Sequence, residues 1–179
     1  MNRLIRNQMG KIHFISDLHL GHNGIAKLRG FEDSFAHDEY LVEQWNSKIT
    51  KKDTVWILGD ITMEKIDSYY YLDQLKGIKN VVGGNHDQPQ HTVELMKYIN
   101  KYCGCFQYKG FWLTHIPVHP SELYTKLNIH GHVHEKSIPD DRYINVCCDV
   151  LDYTPISLEE IEETNKFIQF RKQLGQWGK

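Results

Sequence analysis

Short apolar runs alternate with amphipathic segments through the first half of the chain. Residues 11–16, 54–58 and 78–82 form apolar runs of strand length, which is typical of strands buried on both faces. Between the first two runs, Leu41, Trp45 and Ile49 recur at helical spacing. The pattern therefore predicts alternating strands and helices, as in an α/β fold.

Later segments continue this pattern and then change it. Pro89 is placed to begin a helix, and Ser157 with Glu160 forms a capping box at the start of a last helix. Strands are predicted at residues 105–108, 111–115, 128–130 and 142–147. The apolar faces of the remaining helices are expected to carry Ile66, Tyr69, Tyr70 and Leu75; Val93, Met96 and Ile99; and Leu158, Ile161, Asn165 and Ile168.

Length and charge restrict the possible functions. A chain of 179 residues fits one compact domain, predicted to span residues 1–179. Its formal net charge of −2 gives no overall basic footprint for nucleic acid, so no stable nucleic-acid partner is expected. No apolar run approaches the roughly 20 residues of a membrane span, and the first residues lack a signal-peptide core. We therefore expect a cytoplasmic protein without a membrane partner. Its oligomeric state is not predicted.

The four cysteines do not have the spacing of a zinc site. They occur as Cys103-Gly104-Cys105 and as the adjacent pair Cys147-Cys148, neither of which has the two-residue gap of a zinc knuckle. Adjacent cysteines also rarely form a disulfide, because the geometry is strained. We expect four reduced thiols.

Five blocks of metal-ligand residues follow the predicted strands. Each block alone fits a structural role, such as a turn, a helix cap or a core histidine. Together they offer two carboxylates, one amide and four imidazoles near the carboxyl ends of strands, where ligands bind in α/β sheets. That set could hold two divalent metals that share a carboxylate, an arrangement suited to phosphate esters. The blocks are Asp17-Leu18-His19, Gly59-Asp60, Gly84-Asn85-His86-Asp87, His115 and Gly131-His132-Val133-His134.

The order of these blocks, across roughly residues 11–150, resembles the calcineurin-like metallophosphoesterase family, in particular a small bacterial and phage-type branch. The resemblance implies an α/β fold built as a two-sheet β-sandwich flanked by helices, in four layers. It implies that Asp60 bridges two metals and that His86 contacts phosphate as general acid. The first metal would take Asp17, His19, Asp60 and His134, and the second Asp60, Asn85, His115 and His132.

By this resemblance the chain is a dinuclear phosphoesterase in which a metal-bridged hydroxide attacks phosphorus. The two divalent ions could be Mn, Fe, Co, Ni or Zn, because mixed nitrogen and oxygen ligands suit all of them. The leading substrate is a phosphodiester, such as a cyclic or linear nucleotide. The alternatives are a small-molecule phosphomonoester, a nuclease activity, and a non-catalytic binding module stabilised by metal.

Departures from the family narrow the substrate class. Met63 and Gly83 stand where the Ser/Thr protein-phosphatase branch has an aspartate and an arginine. Without that arginine, a bidentate clamp for a phosphate dianion is missing, which disfavours phosphoproteins. Three polar residues after the first block could reach a substrate because loops beside a site often contribute binding groups. They are His22, Asn23 and Arg29.

Overall fold

The computed structural model describes residues 10–63 and 66–164. Nine strands form within this part of the chain, and most of them follow the apolar runs of the sequence. They are β1 (Ile12–Ile15), β2 (Thr54–Ile57), β3 (Ile78–Val82), β4 (Lys101–Cys103), β5 (Phe106–Tyr108), β6 (Phe111–Leu113), β7 (Leu127–His130), β8 (Tyr143–Asn145) and β9 (Ile156–Ser157).

Helices fill the connections between these strands. The longest, α2, begins after Asp33, whose side chain accepts a hydrogen bond from the backbone N–H of Ala36. The α-helices of the described residues are α1 (Asn23–Leu28), α2 (Ser34–Lys48), α3 (Tyr71–Gln74), α4 (Thr92–Leu95), α5 (Cys148–Leu151) and α6 (Leu158–Glu163). Short 3-10 helices lie at Ile66–Tyr70, Pro89–His91 and Pro120–Glu122.

Two mixed sheets make up the centre of the described structure. The first has the strand order β4-β3-β2-β1-β9, in which only β9 runs antiparallel to its neighbour. The second has the order β5-β6-β7-β8, in which β5 is antiparallel and the other pairs are parallel. Because β1, β2 and β3 are parallel and in register, the loops that follow them leave the sheet at one edge.

Alternation along the strands of the first sheet separates two apolar cores. Ile15 and Ile57 face the helices and pack with Trp45 and Leu41 of α2. On the opposite face, Phe14, Trp56 and Val82 pack against the second sheet, as expected when neighbouring side chains point to opposite faces of a strand. This inter-sheet core contains Phe14, Trp56, Leu58, Val82, Phe111, Leu113, Leu127, Ile129 and Val146.

The predicted fold class is confirmed: two sheets packed face to face and flanked by helices. The capping box of Ser157 and Glu160 is also present at the start of α6. Within that helix Leu158 and Ile161 are buried, whereas the expected positions 165 and 168 lie outside the described residues. The assignment of residues 1–179 to one domain stays a prediction.

Two predicted helical faces were only partly right: Tyr69, Leu75 and Ile99 pack in the core, but the other members are exposed. The helix expected after Pro89 is broken into a 3-10 turn and the single turn of α4, so Val93 and Met96 are 81% and 44% exposed. Ile66 and Tyr70 are likewise exposed, because residues 66–70 form a 3-10 helix whose period differs from 3.6. Within the described residues, no helix is long and apolar enough to cross a membrane.

Candidate metal centre

The ligand blocks meet where the strands of the two sheets end. Asp17 follows β1, Asp60 follows β2 and Asn85 follows β3. From the second sheet, His115 follows β6, and the block containing His132 follows β7. Each block is therefore carried on a loop that begins from a buried strand, which fixes its starting point.

One group of three side chains, here called the first cluster, consists of Asp17, His19 and His134. One ligand atom from each lies within 4.8 Å of the others. His19 Nε2 is 3.8 Å from Asp17 Oδ1, and His134 Nε2 is 3.9 Å from the same oxygen. The rings of His19 and His134 are stacked with an interplanar angle of 8°. This spacing leaves room for a coordinated ion between the three side chains.

The second cluster consists of Asp60, His115 and His132, which also offer three atoms within 4.8 Å of one another. His115 Nε2 lies 3.3 Å from Asp60 Oδ2 and 3.2 Å from His132 Nδ1. Asn85 Oδ1 is 2.9 Å from the same His115 nitrogen, so the amide joins this group as a fourth donor. The structure thus brings together all seven residues that the resemblance implied as ligands.

Asp60 lies between the two clusters. Its Oδ2 is 3.9 Å from His19 Nε2 of the first cluster and 3.3 Å from His115 Nε2 of the second. Its other oxygen, Oδ1, accepts a hydrogen bond from the backbone N–H of His86 at 3.0 Å. One carboxylate oxygen is therefore shared by imidazoles from both sides, and the other is held by the main chain.

Left-handed backbone is concentrated in these candidate ligands. Nine non-glycine residues in the described part of the chain have positive φ, and five of them belong to the two clusters. Such backbone costs a side-chain-bearing residue about 1–2 kcal/mol. Strain of this kind collects where function requires it. The five are Asp17, His19, Asp60, His132 and His134, with φ between 49° and 72°.

Two glycines allow the loops to approach one another. Gly59 has a φ of +85°, and a Cβ there would lie 2.6 Å from both the Cα of Gly84 and Nδ1 of His115. At Gly131, a Cβ would lie 2.5 Å from Asp17 Oδ2. A side chain at either position would displace a ligand of the proposed metals.

Hydrogen bonds fix the orientation of the ligands. His115 Nδ1 donates to the carbonyl oxygen of Leu58 at 2.8 Å, which leaves Nε2 for the second cluster. Asp17 Oδ2 accepts from the backbone N–H of His132 at 2.9 Å and from the Cys147 thiol at 3.1 Å. Burial raises the pKa of Cys147 well above its usual range, so this thiol is a hydrogen-bond donor and not a thiolate ligand.

The Asp87 carboxylate connects two of the loops, a role not inferred from the sequence. It is 5% exposed and accepts hydrogen bonds from the backbone N–H groups of Asp60, Ile61 and Gly84 at 2.8 to 3.0 Å. The loops after β2 and β3 are therefore joined by one side chain. The sequence signal was the aspartate that closes the Gly84–Asp87 block, where a turn was the ordinary reading.

Unsatisfied polar atoms at the first cluster fit a divalent cation. His19 and Asp17 are 2% and 0% exposed, yet within the described residues neither His19 Nε2 nor Asp17 Oδ1 has a hydrogen-bond partner. Burial lowers the pKa of His19 to about 4, so its imidazole is neutral at pH 7, the form that binds metal. A buried polar atom normally finds a partner, and a coordinated ion would supply one here.

In the second cluster, Asp60 and His115 shift the pKa of each other in opposite directions. Burial alone would raise the pKa of Asp60, but the hydrogen bond from His115 outweighs it and lowers that pKa. Correspondingly, burial would lower the pKa of His115, and the interaction with Asp60 raises it instead. The carboxylate is therefore ionised at neutral pH, as a metal ligand must be.

Comparison with known proteins agrees with this geometry. The model of the calcineurin-like phosphoesterase family matches residues 10–170, which is most of the chain. The chain belongs to this family. The resemblance in the sequence and the fold it implied are both confirmed.

Proteins similar to this chain come from archaea, bacteria and phages. An uncharacterised protein of Methanocaldococcus jannaschii is 32% identical over 170 residues, covering 86% of this chain and 90% of its own length. The gene 66 protein of Mycobacterium phage D29 is 40% identical over 85 residues, but the match spans only 45% of this chain and 42% of the phage protein. A solved structure from Aquifex aeolicus, of unknown function, superposes with a TM-score of 0.68 at 26% identity, covering 86% of this chain and 98% of its own.

The remaining candidate site residues lie around the two clusters. The His86 ring centroid is 5.9 Å from that of His19, and His86 belongs to neither cluster. His22 caps α1 by accepting from the backbone N–H of Ile25, and Asn23 Oδ1 accepts from the backbone N–H of Ser34. The guanidinium of Arg29 binds protein groups behind the first cluster, and a substrate contact by His22, Asn23 or Arg29 stays a prediction. The four cysteines are free thiols.

Proposed function

We propose that this protein is a dinuclear metal-dependent phosphoesterase that hydrolyses phosphodiesters, with a cyclic or linear nucleotide as the leading substrate. The observation that carries the proposal is the position of Asp60 Oδ2, within 3.9 Å of an imidazole nitrogen of each cluster. A carboxylate in that position is suited to bridging two ions. The family membership supports phosphate-ester hydrolysis in general.

The donor set supports divalent transition metals. Asp17, His19, Asp60 and His134 would hold one ion, and Asp60, Asn85, His115 and His132 the other. Mixed oxygen and imidazole donors suit Mn, Fe, Co, Ni and Zn. When bound, such ions lower the pKa of water towards neutrality and offset the negative charge that develops on the phosphate.

His86 is our candidate for the general acid. Its backbone N–H is bound to Asp60 Oδ1, which places its side chain at the edge of the centre and close to His19. The six residues of the two clusters, together with Asn85, complete the proposed ligand set without it. His86 is therefore available to protonate the leaving oxygen of the substrate, a role that histidine commonly fills in enzymes that act near neutral pH.

Two clefts beside the centre favour a diester over a monoester. A phosphodiester carries two organic substituents, and one cleft borders each cluster. The cleft of about 470 Å³ beside His134 is lined by apolar residues such as Leu28 and Val133 together with charged ones such as Lys136. The other, of about 350 Å³, lies beside Asn85 and His115 and reaches Ile116. Each cleft could receive one substituent of the same phosphate.

Gly83 disfavours a phosphoprotein substrate, as expected from the sequence. Its Cα packs on Tyr102, and a Cβ at this position would overlap the Tyr102 hydroxyl. An arginine could not be accommodated here without moving Tyr102. With glycine at this position, the bidentate clamp for a phosphate dianion is absent.

The test is hydrolysis of bis-p-nitrophenyl phosphate and p-nitrophenyl phosphate with added Mn²⁺, together with metal analysis. We expect about two ions per chain and faster turnover of the diester. Asp60→Asn should lower turnover by on the order of 10³-fold, since several kcal/mol of charge stabilisation are lost and each 1.4 kcal/mol is worth tenfold.

Asp73→Asn is the control, because Asp73 is an exposed aspartate in α3, away from both clusters. It should leave metal content and turnover unchanged. If Asp60→Asn still holds two ions and turns over normally, Asp60 is not the bridge. If the wild-type protein binds metal but hydrolyses neither ester, a non-catalytic role replaces the proposal.

A further inference from the structure

A buried carboxylate outside the five ligand blocks contacts the first cluster. Asp149 lies in the first turn of α5, and its side chain is 9% exposed. Its Oδ2 is 3.0 Å from Nδ1 of His134, whereas Nε2 of the same ring is the nitrogen near Asp17 of the cluster. A carboxylate that accepts from Nδ1–H fixes the tautomer and the ring plane, so that Nε2 keeps its lone pair for an ion.

Arg29 holds this carboxylate from the other side. Its Nε donates to Asp149 Oδ1 and its Nη2 to Asp149 Oδ2, both at 2.9 Å. This two-point contact fixes the plane of the carboxylate, which a single hydrogen bond would not do. Asp149 Oδ2 is therefore shared between the guanidinium and His134.

The same guanidinium also binds the segment that carries the other two ligands. Arg29 Nη2 donates to the backbone oxygen of Asp17 at 2.8 Å, and Nη1 donates to that of Leu18 at 3.3 Å. Nη1 is also 3.0 Å from Nε2 of the buried His37. The Arg29 side chain is 5% exposed, so this position is enforced by packing as well as by hydrogen bonds. One side chain thus links the backbone of the Asp17–His19 block to the support of His134.

We infer that Asp149, held by Arg29, is a positioning residue for the metal of the first cluster. It fixes His134 relative to Asp17 and His19, and it acts through His134 without touching the substrate. The inference rests on the proposed dinuclear function and adds a residue that the sequence blocks did not contain. Within the described structure, the second cluster has no such carboxylate, because His115 Nδ1 donates to the Leu58 backbone oxygen instead.

The experiment is a calorimetric titration of Mn²⁺ into the metal-free protein. His134→Ala and His115→Ala identify which binding step belongs to the first and the second cluster. Asp149→Asn should then weaken the first-cluster step by about 10–100-fold, the usual effect of removing such a supporting group, and leave the other step unchanged.

Asp140→Asn is the matched control. Asp140 is also held at two points by an arginine, Arg142, but it contacts neither cluster. If Asp149 served only as a structural ion pair, both variants would lower thermal stability and neither would change metal affinity. Under our inference, only Asp149→Asn changes metal affinity.

Arg29→Lys keeps the inference testable if Asp149→Asn does not fold. Lysine retains the charge but not the planar two-point contact, so the first-cluster step should weaken by less than in Asp149→Asn. Equal weakening of both binding steps, or no weakening in a folded variant, would overturn the inference. If the wild type still bound two metals, the proposed function would stand. Failure of the wild type to bind a first-cluster ion would overturn both.

Discussion

The first cluster is supported from behind by side chains, whereas the second is supported mainly by the main chain. In the first, Asp149 orients His134 and the Cys147 thiol binds Asp17. In the second, the Leu58 carbonyl orients His115, and the backbone N–H of His86 holds Asp60. The difference teaches that substitution of a supporting side chain, such as Asp149, should act on the metal of the first cluster alone. Backbone changes near Asp60 should reach both.

Gly84→Ala should give the largest effect in this comparison. A Cβ at residue 84 would overlap the Asp60 backbone and side chain, so Asp60 must move. Because Asp60 contacts both clusters, both Mn²⁺ steps should weaken, and kcat/KM should fall on the order of 10²-fold, as for displacement of a catalytic group by about 1 Å. Gly104→Ala is the control beside the same cleft, since a Cβ there meets no atom within 4 Å. Loss of only one metal step would contradict the shared role of Asp60.

His86→Asn should show that the proposed general acid acts independently of metal binding at both clusters. A general acid matters most for poor leaving groups, so the loss should be on the order of 10²-fold greater on a nucleoside or alkyl ester than on a p-nitrophenyl ester. Steady-state kinetics on the two esters measures this difference. Metal content should remain at the wild-type level. An equal loss on both esters, or a missing ion, would make His86 a ligand or a phosphate-positioning residue.

Backbone strain can be measured by a pair of substitutions at His132. Glycine relieves the left-handed φ of 72°, whereas alanine does not, so metal-free His132→Gly should be more stable than His132→Ala by about 1 kcal/mol. Urea unfolding measures the difference. His115 is the control, because it is not among the residues with positive φ; there the glycine variant should be the less stable of the pair. The same order at both positions would show that strain at His132 is not significant.

The smallest effect concerns the capping box, which contributes no residue to either cluster. Partial burial would raise the pKa of Glu160, but hydrogen bonds from Lys48 and Ser157 outweigh it and lower that pKa to about 2, from an ordinary value of 4.5. The stabilisation is therefore present above pH 4.5 and is lost as pH falls from 4.5 towards 2. Glu160→Gln should flatten this acid-side loss of stability in urea unfolding, with Glu159→Gln as the charge-matched control. An unchanged slope would contradict the contribution of Glu160.

The same comparison shows what could be predicted from the sequence. The strands that precede Asp17, Asp60 and Asn85 were predictable, because buried parallel strands require continuous apolar runs. The ligand blocks after them were conspicuous for their residue types. By contrast, β4 (Lys101–Cys103) was missed, because this short, half-exposed strand at the sheet edge carries no apolar run.

The supports of the first cluster could not be predicted in the same way. Asp149 and Arg29 are 120 residues apart and become neighbours only after the two sheets pack together. The left-handed backbone of His19 and His134 also has no sequence signature, since histidine does not require that conformation. The main-chain supports of the second cluster, the Leu58 carbonyl and the His86 N–H, are present whatever the residue type and so leave no signal in the sequence. Local pattern thus indicated the candidate ligand blocks, and tertiary structure alone revealed what orients them.

The central claim, that one carboxylate joins two metal sites, is tested most directly by a crystal structure grown with Mn²⁺. Anomalous difference maps should show two peaks about 3.5–4 Å apart, the usual separation in two-metal sites. One peak should lie among Asp17, His19 and His134, the other among Asn85, His115 and His132, with Asp60 coordinating both. A single peak, or two peaks that do not share Asp60, would contradict the account.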